Sequence, residues 1–439
     1  MNRERTAMLE DLMEQAVSPE NWEAALYAVE RNRGAAGPDG MKADELRRHL
    51  VTHGSVIVKR LLEGSYRPGA ARRRDIPKAS GGTRPLSIPD VQDRFVQQLL
   101  LGVLQPLFEP RFSESSHGFR PGRSAHDAVK AAQAFAREGY TYVVDMDIAK
   151  FFDTVNHDIL MQQIGLVVRD KRVLRIIGRF LRAGVVMPDG VTVRGTEGTP
   201  QGGPLSPLLA NIYLDALDKE LERRGLRFSR YADDCNIHVK SQAAADRVLE
   251  SLKGWIARHL RLEVSASKSG TGRPWERKFL GFTLTVALLI TIAPASLARF
   301  KDEVREKWDA RQPLTSVELR DQWQSYVKGW WGYYRLAEFR RPVFDTEGWI
   351  RRHIRKWLPA VAEVSWRAAS ASLRLWQRWH CSKGREAALR RLGVPPMQAG
   401  VGRCSCGAWS MARHAVMHKA LNNRKLRDYG FLMPSDLAR

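Results

Sequence analysis

The chain has 439 residues, 44% of them hydrophobic, which is enough apolar material for two or three packed domains, so disorder is not expected. Its 71 Lys and Arg against 48 Asp and Glu give a formal charge of +23, which predicts a polyanionic partner. No apolar run reaches the ~18 residues of a spanning helix, the N-terminus has no signal-peptide pattern, and the four cysteines form no disulfide framework, so we expect no membrane partner and a reducing cytoplasm.

The first predicted elements are helices. Residues 7–32 have helical periodicity with a capping signal at Ser18 and Glu20, and they end in the glycine- and proline-rich turn 34–40. Residues 94–108 form a second predicted helix. Its apolar face carries Phe95, Leu99, Val103 and Leu107.

Two alternating segments predict strands. In residues 140–148 one face is apolar, whereas the other carries Asp145 and Asp147. Cys235, Ile237 and Val239 alternate with polar residues in the second segment. Further helices are predicted at 204–224 and 242–260, and a core strand at 282–292.

Acidic residues end these strands. Asp233 and Asp234 lie between two strand-like runs, so a tight hairpin would hold both carboxylates at its tip. Asp147 ends its own strand, and if the strands are neighbours the three carboxylates converge. Two Mg²⁺ ions about 3.5–4 Å apart would relieve their repulsion. The alternative, a solvated Asp-Asp turn, accounts less well for the flanking strands and the second acidic strand.

The composition changes near residue 295. Residues 300–392 are helical and rich in Arg and Trp, and 393–402 resembles a linker. Aromatics among cations suit stacking and phosphate contact with nucleic acid, although a helical bundle with an aromatic core and solvated cations is an alternative. These aromatics are Trp323, Trp330, Trp331, Tyr333, Tyr334, Trp349 and Trp357.

A zinc site is a further possibility that the spacing argues against. Cys404 and Cys406, with His414 and His418, contain the right atoms. The single residue between the cysteines is shorter than the usual two-to-four-residue gap between ligands. We therefore expect no zinc.

Six segments, in order, resemble the sequence blocks of bacterial group II intron reverse transcriptases. The resemblance covers roughly residues 20–439 and is most specific from 84 to 282. The blocks are Arg84–Pro89, Ser116–Arg123, the Asp147 strand, Gly198–Pro207, Tyr231–Asp234 and Phe279–Phe282.

The resemblance implies an α+β right-hand polymerase with an antiparallel palm sheet, followed by an α-helical thumb and maturase region. It implies an N-terminal extension and the start of the fingers at 1–75, and fingers and palm at 76–295. The thumb and maturase domain that binds intron RNA would cover 296–395, and a basic DNA-binding tail 396–439. A C-terminal endonuclease domain is not expected, because the tail is too short for it.

The resemblance also implies roles for individual residues. Asp147, Asp233 and Asp234 would bind the two Mg²⁺ ions, with the backbone carbonyl of Ile148 as a further ligand. Lys78 and Arg84 would clamp the triphosphate of the incoming dNTP, although a solvated basic loop is the alternative. Phe152 would lie against the sugar 2′ position and Gln201 near the nascent base pair.

Other residues would contact nucleic acid. Template and primer contacts would come from Lys268, Arg120 and Arg123, although Lys268 is almost as well explained as a surface lysine. Contacts with intron RNA would come from Trp330, Trp331, Tyr333 and Tyr334.

The implied reaction is attack of a DNA primer hydroxyl on a dNTP, templated by RNA, in a bacterial cytoplasm. The implied partners are group II intron RNA in a ribonucleoprotein, and a DNA target and primer. Two alternatives stay open. The first is a domesticated relative that acts in repair or defence, and the second is an RNA-binding splicing factor without polymerase activity. The intact acids argue against the second.

Overall fold

The computed structural model describes residues 10–77, 82–193, 195–308, 316–361, 390 and 422–438. The chain divides into two compact units, residues 1–279 and 280–439. In the described part of the chain, no helix is long and apolar enough to cross a membrane.

The first unit contains ten α-helices among its described residues. Its helices are α1 Leu12–Ala16, α2 Pro19–Asn32, α3 Leu46–Leu62, α4 Val91–Phe108, α5 Ala125–Arg137, α6 Phe151–Thr154, α7 His157–Gly165, α8 Lys171–Arg182, α9 Ser206–Arg223 and α10 Gln242–Leu260. The predicted helices at 94–108, 204–224 and 242–260 are therefore confirmed.

The helical prediction for 7–32 is confirmed at Leu12–Ala16 and Pro19–Asn32, and the chain breaks between α1 and α2. Pro19 begins α2 and has no N–H with which to continue a preceding helix. Ser18 accepts a hydrogen bond from the backbone N–H of Asn21, so the predicted capping signal starts a new helix there.

Two four-stranded sheets belong to the first unit. The strands are β1 Ala71–Pro77, β2 Thr83–Ile88, β3 Tyr142–Asp147, β4 Val185–Val186, β5 Thr192–Val193, β6 Arg227–Tyr231, β7 Asp234–Val239 and β8 Gly270–Gly272. One sheet has the order β2-β1-β4-β5, in which β1 and β4 run parallel. The other has the order β6-β7-β3-β8, and every neighbouring pair in it is antiparallel.

The antiparallel sheet separates an apolar face from a polar one. Val144, Met146 and Ile148 are buried in the main core with residues of α9 and α10. Because side chains alternate along a strand, Asp145 and Asp147 point to the opposite face. The predicted alternation of strand 140–148 thus sets which face carries the acids.

The second unit combines a short hairpin with helices. It contains β9 Phe282–Leu284, β10 Ile290–Ile292, α11 Pro294–Lys307, α12 Ser316–Tyr334, α13 Arg341–Val361, α14 Asn423–Asp428 and α15 Pro434–Leu437. The continuous strand predicted over 282–292 is wrong. The backbone N–H of Thr285 donates to the carbonyl of Leu289 and Leu288 has φ 59°, so the chain reverses between two antiparallel strands.

The end of the chain contributes to the core of the second unit. Leu426, Phe431 and Met433 are buried with Trp308 and Trp323. The indole N–H of Trp323 donates to the carbonyl of Leu432 at 2.8 Å. Residues 422–438 are therefore integrated into the helical unit and do not form a separate tail.

Candidate active site

A two-residue turn joins β6 to β7 and carries the Asp-Asp pair. Tyr231 pairs with Asp234, and Ala232 adopts φ 58°, the positive value that tight hairpin turns require. In the neighbouring ladder Asp147 lies directly opposite Asp234. The two strands are therefore adjacent, and the carboxylates of Asp147, Asp233 and Asp234 come to one end of the sheet.

Burial, together with neighbouring carboxylates, raises the pKa of three acids of this sheet, Asp145, Asp233 and Asp234. Withdrawal from water, reinforced by Asp145, Asp233 and Asp147, raises the pKa of Asp234 to about 8. Burial, with a smaller contribution from Asp147, raises the pKa of Asp233. Burial also raises the pKa of Asp145 to about 6. A protein that gathers such groups gains by binding a cation among them.

Lys268 contacts the cluster. Its ammonium nitrogen lies 3.0 Å from Oδ1 and 3.3 Å from Oδ2 of Asp147. In this structure Lys268, which was predicted to contact template or primer, forms an ion pair with an acid of the site. Two-thirds of the Lys268 side chain is exposed, so the ammonium can leave Asp147 at little cost.

The donor set fits a hard divalent cation, because the oxygen ligands of carboxylates are those that Mg²⁺ prefers. The ligands would be Asp147, Asp233, Asp234 and the Ile148 carbonyl. Among the described residues, no three His, Cys, Asp or Glu side chains already lie close enough to hold an ion. Because the Lys268 ammonium contacts Asp147 in this structure, it would leave that carboxylate when an ion binds.

A buried ion pair supports the hairpin formed by β6 and β7. Arg230 and Asp218 are fully buried and joined by two hydrogen bonds, Nε to Oδ1 at 2.7 Å and Nη2 to Oδ2 at 2.5 Å. Nη1 of Arg230 donates to the carbonyl of Ala232 at 2.8 Å, so the same guanidinium fixes the turn beside Asp233. The sequence does not predict this pair, because nothing in the spacing of Asp218 and Arg230 indicates a contact.

The Ser116–Arg123 segment packs against the same hairpin. A Cβ added to Gly118 would lie 2.3 Å from the backbone nitrogen of Ala232, so only glycine fits there. Arg120 is buried and donates to Glu109 and to the carbonyls of Ser113 and Ser116. The predicted template contact of Arg120 is therefore wrong, since its hydrogen bonds organise the segment itself. Arg123 pairs with Glu114 at the surface.

A cavity of about 830 Å³ lies in the first unit, lined in part by Phe119, Phe152 and Gln201. Phe152 is half-buried, whereas Phe151 is 2% exposed and belongs to the core. The two neighbouring rings therefore differ in exposure, and only Phe152 lines the cavity. The cavity is large enough for a nucleotide-sized ligand.

Only one of the two predicted triphosphate clamps is described. Arg84 is exposed on β2, and its charge acts on Asp233, whose pKa it lowers against the larger effect of burial. Its guanidinium therefore lies within electrostatic range of the acids. Lys78 lies outside the described residues, as do Cys404, Cys406, His414 and His418.

The four aromatics predicted to contact RNA are largely packing residues of the second unit. Trp331 and Tyr334 are buried, which leaves no ring face for a base, so their predicted RNA contact is wrong. The Trp330 ring lies 4.1 Å from Phe300 and 4.6 Å from Tyr334, centroid to centroid. The hydroxyl of half-buried Tyr333 donates to the carbonyl of Leu280. The bundle-core alternative holds for this cluster.

Three acids at the end of an antiparallel sheet, in a unit that also contains a nucleotide-sized cavity, are the arrangement found in the palm of a template-copying polymerase. Residues 76–284 match the family described as "Reverse transcriptase (RNA-dependent DNA polymerase)", and residues 297–392 match the "Group II intron, maturase-specific domain". The chain belongs to the group II intron reverse transcriptases with a maturase domain. It is therefore an RNA-directed DNA polymerase by family.

Several curated proteins are similar to this chain. It is 30% identical over 301 residues to Protein YkfC of Escherichia coli, covering 60% of this chain and 79% of that protein. It is 40% identical over 177 residues to the group II intron-encoded protein LtrA of Lactococcus lactis, covering 40% of this chain and 29% of LtrA. An uncharacterized 91 kDa protein in the cob intron of Schizosaccharomyces pombe is 38% identical over 183 residues, 42% of this chain and 22% of that protein. The match thus spans less than a third of the length of the last two relatives.

Proposed function

We propose that this protein extends a DNA primer on an RNA template, using dNTPs and two Mg²⁺ ions, and that its natural template is a group II intron RNA which it also binds for splicing and mobility. The observation that supports the chemistry is the placement of Asp147 opposite Asp234, beside the turn that holds Asp233. The match of residues 297–392 to the maturase-specific domain supports the intron partner.

Each residue of the site has a distinct task in this proposal. When bound, the two ions would activate the primer 3′-hydroxyl and stabilise the leaving pyrophosphate. Asp147, Asp233 and Asp234 would hold them. Arg84 would bind the phosphates of the dNTP, whose charge grows as pyrophosphate leaves. Phe152 would occupy the space that a ribonucleotide 2′-hydroxyl needs.

The charge of the chain supports a large nucleic-acid partner. Phosphates of intron RNA and of a DNA target would balance the formal charge of +23. We propose that residues 76–295 carry the polymerase and that residues 296–395 bind the intron RNA. DNA binding by residues 396–439 and a bacterial cytoplasmic location are further parts of this proposal.

The substitution Asp233→Asn or Asp147→Asn tests the assignment. Each removes one carboxylate ligand, so cDNA synthesis should fall to background, whereas RNA affinity, which rests on distributed cations, should change less than about twofold. Primer extension and filter binding on the same preparations measure the two quantities. Asp158→Asn, at an exposed acid of the same unit, is the matched control and should leave both unchanged. Near-normal extension by either site variant would contradict the assignment.

A further inference from the structure

Three hydrogen bonds join two segments that the proposed function uses. One is the loop Gly198–Gln201, and the other runs from Phe152 in α6 through Val155 to His157, the first residue of α7. The backbone N–H of Thr199 donates to the Phe152 carbonyl at 2.7 Å, and that of Gly198 donates to the Val155 carbonyl at 2.8 Å. The third bond is the only one from a side chain: Nε2 of His157 donates to the Gly198 carbonyl at 2.7 Å. We call this set of bonds the loop joint.

The two segments of the loop joint are closely packed at Gly198. Gly198 adopts φ 88°, and a Cβ there would lie 2.9 Å from the carbonyl oxygens of both Phe152 and Asp153, so only glycine fits. His157 begins α7 and is 7% exposed. Its ring is therefore held between a helix end and the loop, and water cannot easily replace its hydrogen bond.

The far end of the same loop is bonded to β2. The backbone N–H of Ser87 donates to the carbonyl of Gln201 at 2.6 Å. A Cβ on Gly202 would lie 2.4 Å from the Ser87 carbonyl, so the loop and the strand are in close contact. Arg84 belongs to the same strand. The loop thus links the α6 segment that carries Phe152 to the strand that carries Arg84.

We propose that His157 is a positioning residue of the polymerase site: through the loop joint it fixes Phe152 and Gln201 relative to each other, and so sets nucleotide affinity and sugar discrimination. The inference rests on the proposed function, because it uses the role of Phe152 against the sugar. His157 itself contacts neither nucleotide nor metal ligand. Its contribution is to keep Phe152 and Gln201, which both line the cavity, in a fixed position relative to each other.

The test compares three variants with the wild-type protein. His157→Leu removes the donor and keeps an apolar side chain, whereas His157→Gln keeps an N–H donor of similar reach. His259→Leu, at an exposed histidine bonded only to its own helix, is the matched control. Single-nucleotide primer extension gives kcat and KM for a dNTP, and for the ribonucleotide with the same base.

For His157→Leu we expect a KM for the dNTP about tenfold higher, a smaller change in kcat, and a ribonucleotide discrimination ratio lowered by about the same factor. His157→Gln should restore both quantities to within about threefold of wild type. Unchanged KM and discrimination in His157→Leu would overturn the proposal, as would an equal loss of kcat for all nucleotides without rescue by glutamine. If the wild-type protein itself extended no primer, the proposed function would fail first.

A second measurement does not depend on whether His157→Leu folds. Nitrogen-15 NMR of the histidine rings, with the His157 signals assigned by their absence in His157→Gln, reports which ring nitrogen carries the proton. The loop joint requires a protonated Nε2 that is protected from exchange with solvent. A signal from the Nδ1–H tautomer, or an Nε2 proton in fast exchange, would overturn the proposal.

Discussion

Replacing Asp218 by asparagine should destabilise the protein more than any surface change of the same kind. The substitution removes one charge of the Arg230–Asp218 pair and leaves a guanidinium that is fully withdrawn from water. Burial acts against the charged form of Arg230, and the ion pair with Asp218 raises its pKa, so the substitution removes the interaction that favours the charge. Because arginine is not deprotonated in proteins, an unpaired buried cation remains.

The expected loss follows from that geometry. Breaking one partner of a buried ion pair costs about 3–5 kcal/mol, and the lower end applies here because asparagine retains one acceptor for Nε or Nη2. That is a large fraction of the ~5–15 kcal/mol by which domains of this kind are stable. Since Arg230 also donates to the Ala232 carbonyl, kcat should fall as well at temperatures where the variant is folded.

Urea unfolding of the full chain, followed by circular dichroism, measures the change in free energy. Glu250→Gln is the control: it breaks the exposed Lys253–Glu250 pair and should cost at most about 1 kcal/mol. The double variant Asp218→Leu with Arg230→Met, which leaves no charge buried, should recover more than half of the loss. Equal effects of Asp218→Asn and Glu250→Gln would refute the reasoning.

Three further predictions concern the site and the charge. Phe152→Val should admit ribonucleotides and raise the ratio of ribonucleotide to deoxynucleotide incorporation about tenfold or more; an unchanged ratio would make the ring a packing residue. Asp234 has a pKa near 8 without metal and must lose its proton to bind an ion. The Mg²⁺ concentration for half-maximal activity should therefore fall by up to tenfold per pH unit as the pH rises towards 8, and level off above it. A half-maximal Mg²⁺ concentration that is independent of pH between 6.5 and 8 would contradict this prediction. RNA affinity in filter binding should fall by about 10³–10⁵ between 50 and 200 mM salt on the duplex-DNA scale if six to ten phosphates are contacted; a flat profile would mean that the +23 charge serves solubility.

The features predicted correctly are those that local sequence determines. The alternation around Asp147 selects the polar face of β3, and the two-residue turn before Asp234 is a local hairpin signal. Helix α10 follows from apolar periodicity over nineteen residues. The convergence of the acids then depends only on β3 and β7 being neighbours.

The features that were missed depend on contacts between distant residues. The tertiary fold brings Arg230 to Asp218 and His157 to Gly198, and the sequence spacing of these residues does not predict either contact. The errors have a related cause. Interleaved aromatics and cations look alike in a bundle core and in a nucleic-acid surface, so only burial separates Trp331 from a stacking residue. An arginine in a sequence motif, such as Arg120, can likewise bind phosphate or form hydrogen bonds within its own segment.

The way in which the helical unit completes its core bears on its biogenesis. The main core of the first unit lies between Leu12 and Val264, so all of its parts have been synthesised while much of the chain is still being translated. The helical unit instead needs Leu426, Phe431 and Met433, which follow α13 by some sixty residues or more. A chain whose synthesis stopped between 361 and 422 would therefore combine a finished first unit with a helical unit that lacks three residues of its aromatic core. Chaperones and proteases recognise such incompletely folded species.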